Sequence, residues 1–357
     1  MIPPQTHTAI SGQPTVPPLV SVVIPCYNAA AFVSETIDSV LAQSYPNVEI
    51  VVIDDGSTDS TAAVLQGYRD KIVYRRKSNG GLASARNLGL KVAKGDLIAL
   101  LDADDICLPG RLALQVECFA QIPELILCSS DFSAFVADRV VETSHIATYY
   151  RSVARTPGGL AAFYASRKPL SFVDGKTSGT GQVNVLFGTI YEQIIWGNFI
   201  HPPTVMVRRT VIDTVGEFDE RIPNGTDYDW FIRVCRHGPA AYIDTPLLKY
   251  RYSDTQLSSS KNSEQISLDV IATLEKVRAS DPELYLRHRF RFHRRIGACY
   301  LNAAEAALER DKPTAVKYLL SSIGHGALRL RSLKTIAKLL LSRGLLDKYR
   351  RHRKLSP

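Results

Sequence analysis

Chemistry in this chain gathers where carboxylates crowd. Asp102, Asp104 and Asp105 stand together directly after the apolar run Leu97–Leu101. At about 5 Å and an effective dielectric near 20, each such pair repels by roughly 3 kcal/mol. A divalent cation at a strand's carboxyl end is one counter-charge, and oxygen ligands suit Mg2+ or Mn2+. A solvated acidic turn ahead of a proline-initiated helix is the other account, and spacing alone keeps both open.

Further polar segments follow the same plan. Asp54-Asp55-Gly56-Ser57-Thr58-Asp59 closes the apolar run Val48–Ile53. These are ordinary turn and capping residues, yet a carboxylate here can also accept the imide N–H of a uracil or thymine ring. Pro25-Cys26-Tyr27-Asn28 ends Leu19–Ile24, and Asn79-Gly80-Gly81 opens a helical stretch containing Arg86. The paired glycines permit close backbone approach, and Arg86 can meet either the acids or a phosphate. Asp227-Tyr228-Asp229-Trp230 begins another helix, where Asp227 is a cap or a general base. His201, before Pro202-Pro203, reads as a structural histidine that can line such a site. Neither GxGxxG after the first strand nor GxxxxGK[ST] is present, so hydride transfer and P-loop phosphoryl transfer lose support.

The elements that must hold these residues alternate. Strand-like runs at Leu19–Ile24, Val48–Ile53, Ile72–Tyr74 and Leu97–Leu101 are separated by helical spacing over Ala30–Gln43, Thr58–Gly67 and Gly81–Ala93. That rhythm requires right-handed crossovers and a parallel, doubly wound sheet, which binds ligands at its strands' carboxyl ends. Pro109–Ile122 then reads as a helix and Leu125–Ser129 as a strand. Residues 150–185 are rich in Gly, Ser, Thr and Pro and read as a long loop or insert. A strand at Thr204–Arg208, a helix at Asp227–His237 and short strands near Ala241 and Leu248 follow. From Ser263 onward the pattern is helical, with Arg310-Asp311-Lys312-Pro313 turning between two helices.

Apolar residues at 45% and charged residues at 22% match a soluble globular protein. No apolar run is long enough to span a bilayer, and the N-terminus shows no signal-peptide pattern. Residues 1–18, with five prolines, read as a disordered lead-in. The six scattered cysteines read as buried free thiols of a reducing cytoplasm. Charge is uneven: Leu284 to the end carries +14 of a total of +8, leaving −6 on the first 283 residues. Within that tail Ser332–Leu355 alternates leucine and isoleucine with Lys and Arg, broken at Gly344. A basic amphipathic helix of this kind suits an anionic membrane face, or packs on the body with its charges in water. No nucleic-acid motif accompanies it.

Taken together, SVVIPCYN, VVIDDGSTD, NGGLASARNLGL and LIALLDADD over Val20–Asp105 resemble the nucleotide-binding half of the inverting family 2 glycosyltransferases. The resemblance resumes over His201–Ser258 through HPPTVMVRR, VGEFDERI, TDYDWFIR and YRYSDTQLS. It implies an α/β GT-A fold: a Rossmann-like, mostly parallel sheet with flanking helices, here followed by a C-terminal helical arm. The expected organisation is a catalytic domain over 19–258, split at 128/129, and a basic helical region over 259–357. Asp55 would contact the base beside Pro25 and Tyr27, Asp102 the ribose, and Asp104 an Mn2+ or Mg2+ ion bridging the diphosphate. Arg86 and Arg251 would serve the donor, and Asp227 would be the catalytic base. A segment often written YRxH has Ser253 where histidine is usual, which leaves Arg251 to compensate.

The implied reaction moves a sugar from a nucleotide-sugar, expected to be a UDP-sugar, to a glycan or lipid-linked acceptor in surface polysaccharide assembly. It would take place in the cytoplasm or on the inner membrane face. A sugar nucleotidyltransferase would need a glycine-rich basic loop where PCYN stands. A degenerate transferase serving as a membrane scaffold is opposed by the intact Asp55, Asp104 and Asp227.

Overall fold

The computed structural model describes residues 16–136, 139–173, 180–252, 262–326 and 330–340. Contacts divide the chain into two compact units, Met1–Glu217 with Arg233–Arg251, and Phe218–Ile232 with Tyr252–Pro357.

The first unit opens with β1 (Val20–Cys26), α1 (Val33–Leu41), β2 (Val48–Asp54), α2 (Thr61–Gln66), β3 (Val73–Arg76), α3 (Leu82–Val92) and β4 (Leu97–Leu100). There follow β5 (Ile106–Cys107), α4 (Arg111–Gln121), β6 (Leu127–Val136), β7 (Arg139–Glu142), α5 (Ile146–Tyr149) and α6 (Arg151–Ala154). Next come β8 (Ser166–Val173), β9 (Thr180–Gly188), α7 (Tyr191–Ile195), β10 (Met206–Arg208) and α8 (Arg209–Val215). α9 (Thr226–Cys235) lies in the second unit as far as Ile232, and the strand β11 (Ala240–Arg251) completes the sheet of the first.

The expected α/β architecture is present. β3, β2, β1 and β4 lie side by side and parallel, with Cys26 opposite Asp54 at the carboxyl ends. Val20, Val22, Val23 and Ile24 are all buried, because helix-mediated crossovers cover both faces of a parallel strand. Beyond β4 the sheet turns mixed, in the order β10, β6, β11, β9, β8. β10 runs antiparallel to both β4 and β6. The segments near Ala241 and Leu248 form one strand, whose register with β6 shifts on either side of Pro246. Proline brings no N–H to a ladder, so an irregularity there is expected.

Residues 150–185 differ from the loop expected of them. They hold α6 and the antiparallel pair β8–β9, which extends the sheet beyond β11. Their Gly, Ser and Thr content concealed the alternation of Leu170, Phe172, Val183 and Val185. All six cysteines are buried free thiols.

The second unit contains α10 (Ser263–Ser280), α11 (Pro282–Ala307), α12 (Lys312–Gly324) and α13 (Leu330–Leu340). Asp281 and Asp311 cap α11 and α12, accepting from the N–H groups of Leu284 and Thr314, and each helix has proline in its first turn. α11 kinks at His288, whose φ of −119° and ψ of 19° leave the helical region. Leu301, Ala304 and Leu319 form a core against which Ile336 and Leu339 of α13 pack. Part of the apolar face expected to meet a membrane is therefore turned inward. The rest of that expected helix, from residue 341 through Gly344 to the end, lies outside the described residues, as does the lead-in up to residue 15. Among the described residues no helix is long and apolar enough to cross a membrane.

Candidate functional site

The carboxyl ends of β1, β2 and β4 place the polar motifs on one edge of the first unit. Asp55 donates its N–H to the Cys26 carbonyl at 2.8 Å, which ties the β2 end to the β1 end. Asn28, in the left-handed region at φ 51°, caps the opposite loop: its side-chain oxygen accepts from the N–H of Thr58 at 2.8 Å. Asparagine is among the few residues besides glycine that enter that region readily.

Asp55 is buried, and its carboxylate is well supplied with donors. Lys77 Nζ donates to Oδ1 at 2.7 Å, Gly80 N at 3.0 Å, and Gly81 N donates to Oδ2 at 2.7 Å. A carboxylate offers about four acceptor positions, so three donors leave room for about one more. The Asn79-Gly80-Gly81 loop is thus fastened to the β2 end by the residue expected to read a base. Gly56 makes this approach possible: its φ is 77°, and a Cβ there would lie 2.8 Å from the Asn79 nitrogen. Pro25 is buried within β1, whereas Tyr27 is 51% exposed at its mouth.

After β4 the chain enters the acidic loop. Arg86, buried on α3, donates to Asp102 Oδ1 at 2.8 Å, while the Asp102 side chain stays 30% exposed. Arg86 therefore meets an acid, one of its two expected partners. Burial, and then the Asp102 charge, push the Asp104 carboxyl up to about 6. Burial pushes Asp105 well above the usual carboxylate range, with the charges of Asp104 and Asp102 adding to it. Asp105 does not cap α4, which begins at Arg111. Instead Asp105 Oδ1 accepts the Arg251 N–H at 2.9 Å, and its buried Oδ2 has no partner among the described residues.

Arg251 braces the same loop. Its Nε donates to the Asp104 carbonyl at 2.8 Å, it pairs with Glu35, and its guanidinium lies between the rings of Phe32 and Phe135. Ser253 lies outside the described residues. From below, the buried Arg111 donates to the Leu100 carbonyl at 3.0 Å. Glu35, Lys77 and Arg111 escaped the sequence reading. Each is a common residue type in an unremarkable context, and only the third dimension brings it to the motifs.

His201 is 4% exposed, stacked on Phe132 at 3.9 Å and edge-on to Tyr149 and Tyr250. Burial, joined by the charges of His145, Arg86 and Arg111, holds its pKa well below the usual value. It is a neutral packing residue.

In the second unit, Asp227 is the second residue of α9 and is half-buried. The segments on either side of it are held from α10. Lys276 Nζ lies 2.6 Å from Asp229 Oδ1 and 3.0 Å from Asp219 Oδ2, and Asp269 Oδ2 accepts the Asn224 N–H at 2.8 Å.

The acidic loop suits a hard cation. Its donors are carboxylate oxygens, two of its acids are pushed toward protonation by burial and by neighbouring carboxylate charge, and one buried oxygen has no partner among the described residues. Among the described residues no three His, Cys, Asp or Glu side chains are grouped to enclose an ion. The residues present therefore fit the mode in which one or two carboxylates share Mg2+ or Mn2+ with substrate phosphates.

Known proteins resemble this chain as follows. The family model described as glycosyl transferase family 2 matches residues 21–165. An uncharacterized glycosyltransferase of Rickettsia typhi is 30% identical over 247 residues, 69% of this chain and 68% of that protein. One of Rickettsia felis is 29% identical over 71% of this chain, and the match spans 37% of its own length. Among solved structures, S. aureus TarS 1-349 in complex with UDP-GlcNAc superposes with a TM-score of 0.59 at 16% identity, covering 94% of this chain and 92% of that one. Mannosyltransferase PcManGT from Pyrobaculum calidifontis, in complex with GDP-Man and Mn2+, gives 0.50 at 18% identity, over 93% and 88%. At these identities the solved structures speak to the fold.

Proposed function

The chain belongs to glycosyl transferase family 2, and from that premise we propose that it moves a sugar, with inversion, from a UDP-sugar to a glycan or lipid-linked acceptor in surface polysaccharide assembly. The observation that carries the reading is that Asp55 and the Asp102–Asp104 loop, with Arg86 bonded to Asp102, follow the two parallel strands that flank β1. The UDP-GlcNAc complex of the S. aureus neighbour favours uridine, while GDP-Man in the Pyrobaculum calidifontis one keeps guanosine as the competitor to test.

In this reading the open acceptor position of Asp55 takes the base imide, with Pro25 and Tyr27 alongside. Asp102, oriented by Arg86, takes the ribose hydroxyls. Asp104 holds Mn2+ or Mg2+, which when bound neutralises the leaving diphosphate. Arg251 fixes the Asp104 backbone and so serves the donor indirectly. Asp227 removes the proton from the acceptor hydroxyl as it attacks. The catalytic domain is assigned to residues 19–258, and the C-terminal helices are assigned a peripheral contact with an anionic membrane.

A thermal-shift series with UDP-, dTDP- and GDP-sugars and Mn2+ tests the donor. Stabilisation by the uridine compounds, lost in Asp104→Asn, is expected. Stabilisation by GDP-sugars alone would defeat the role given to Asp55. Asp227→Asn should bind donor normally and lose transfer, and a variant that still transfers sugar rules Asp227 out as the base.

A further inference from the structure

The second unit carries a surface for which the transfer reaction has no use. From Leu284 to Ala304, α11 holds five arginines and no acidic residue. Arg295 turns inward and donates to the Tyr228 hydroxyl at 3.2 Å. Arg287, Arg289, Arg291 and Arg294 are exposed. Among them stand Leu286, 67% exposed, and Phe290, at 78% the most exposed large apolar side chain of the described residues. The Arg289 guanidinium lies over the Phe290 ring at 4.8 Å, and the kink at His288 falls between the two apolar residues.

Single exposed apolar residues are commonplace, but an exposed aromatic set among four cations is not. A protein partner is ordinarily met through an apolar centre with a rim of both charge signs. A rim of one sign, made of arginines, matches a continuous sheet of phosphates, which the guanidinium fork binds in a bidentate manner. Arginine stems also cover apolar surface while their heads reach the phosphate level. α13 is the poorer candidate, since its Ile336 and Leu339 are spent on the core formed with Leu301 and Leu319.

We infer that the Leu286–Arg294 stretch of α11 docks this protein on an anionic lipid bilayer. Leu286 and Phe290 enter the headgroup region, and Arg287, Arg289, Arg291 and Arg294 meet lipid phosphates. The inference deepens the reading of a membrane-side acceptor and rests on it for its purpose, whereas the binding itself needs no sugar transfer.

The test is cosedimentation of the full chain with vesicles of phosphatidylcholine alone or equimolar phosphatidylcholine and phosphatidylglycerol, at low and high salt. Binding to the anionic vesicles only, weakened by salt, is expected. Arg289→Gln with Arg294→Gln should weaken it roughly thirtyfold, taking about fivefold for each charge. Phe290→Ser should weaken it about tenfold. Donor-dependent thermal shifts should be unchanged in both variants, which separates failure of the docking surface from failure of the donor site. Equal binding to neutral vesicles, or full binding by the variants, overturns the inference. So does a dimer of the parent chain that Phe290→Ser dissolves, because the face would then belong to a second copy.

Discussion

Replacing Lys276 by methionine removes one ammonium and leaves the side-chain stem. In the second unit that ammonium lies between Asp229, whose side chain is 2% exposed, and Asp219, at 12%. Stripping one partner from a fully buried pair costs about 3–5 kcal/mol, since the remaining charge is left without water or counter-ion. Lys276 is itself 37% exposed, so water takes up part of the loss. A cost of about 2 kcal/mol is the corresponding expectation. Urea unfolding followed by the fluorescence of Trp230, buried against Phe218, reads this unit, with Trp196 replaced by phenylalanine to silence the first. Lys276→Met with Asp229→Asn should recover about 1 kcal/mol or more relative to the sum of the single changes. Asp227 stands two residues before Asp229, so transfer should fall tenfold or more, roughly the effect of a sub-ångström misplacement, while donor binding holds. A loss below about 0.5 kcal/mol, or simple additivity in the double variant, would refute the reasoning.

Gly56→Ala should cost about 1–3 kcal/mol and weaken donor-induced thermal shifts, because a Cβ at φ 77° meets the Asn79 nitrogen. Normal stability would show that the loop relaxes. His201 is held neutral in the folded chain, so below its unfolded pKa of about 6.5 only the unfolded state gains the proton. Stability contributed by this site is therefore complete above that pH and falls as the pH drops below it. His201→Gln should be less stable at neutral pH yet show a shallower decline, measured by denaturant titration across that range; an unchanged slope would dismiss the assignment.

How much of this was legible in the sequence depended on range. β1, β2, β3 and β4 announced themselves because each is a short apolar run broken by helical spacing, and parallel pairing follows from the crossovers. The motifs at their ends were legible for the same reason. What could not be read is long-range pairing. Nothing local in Met206–Arg208 says that it runs antiparallel to β4, and nothing in Lys77 says that it ends beside Asp55. Arg251 was legible as part of a motif, but its grip on the Asp104 backbone and its seat between Phe32 and Phe135 depend on residues from three distant segments.

The position of β10 bears on how the protein is made. β4 emerges from the ribosome about a hundred residues before the strand that covers its outer edge. Until Met206–Arg208 arrives, a nascent chain exposes the unpaired groups of Leu97–Leu100 beside the buried, largely apolar strand β1, an invitation to strand addition by other chains. The N-terminal region that carries the family signature is thus poorly suited to fold by itself. Chains truncated before residue 208 should aggregate, and synthesis of this protein passes through a vulnerable interval that chaperones would have to cover.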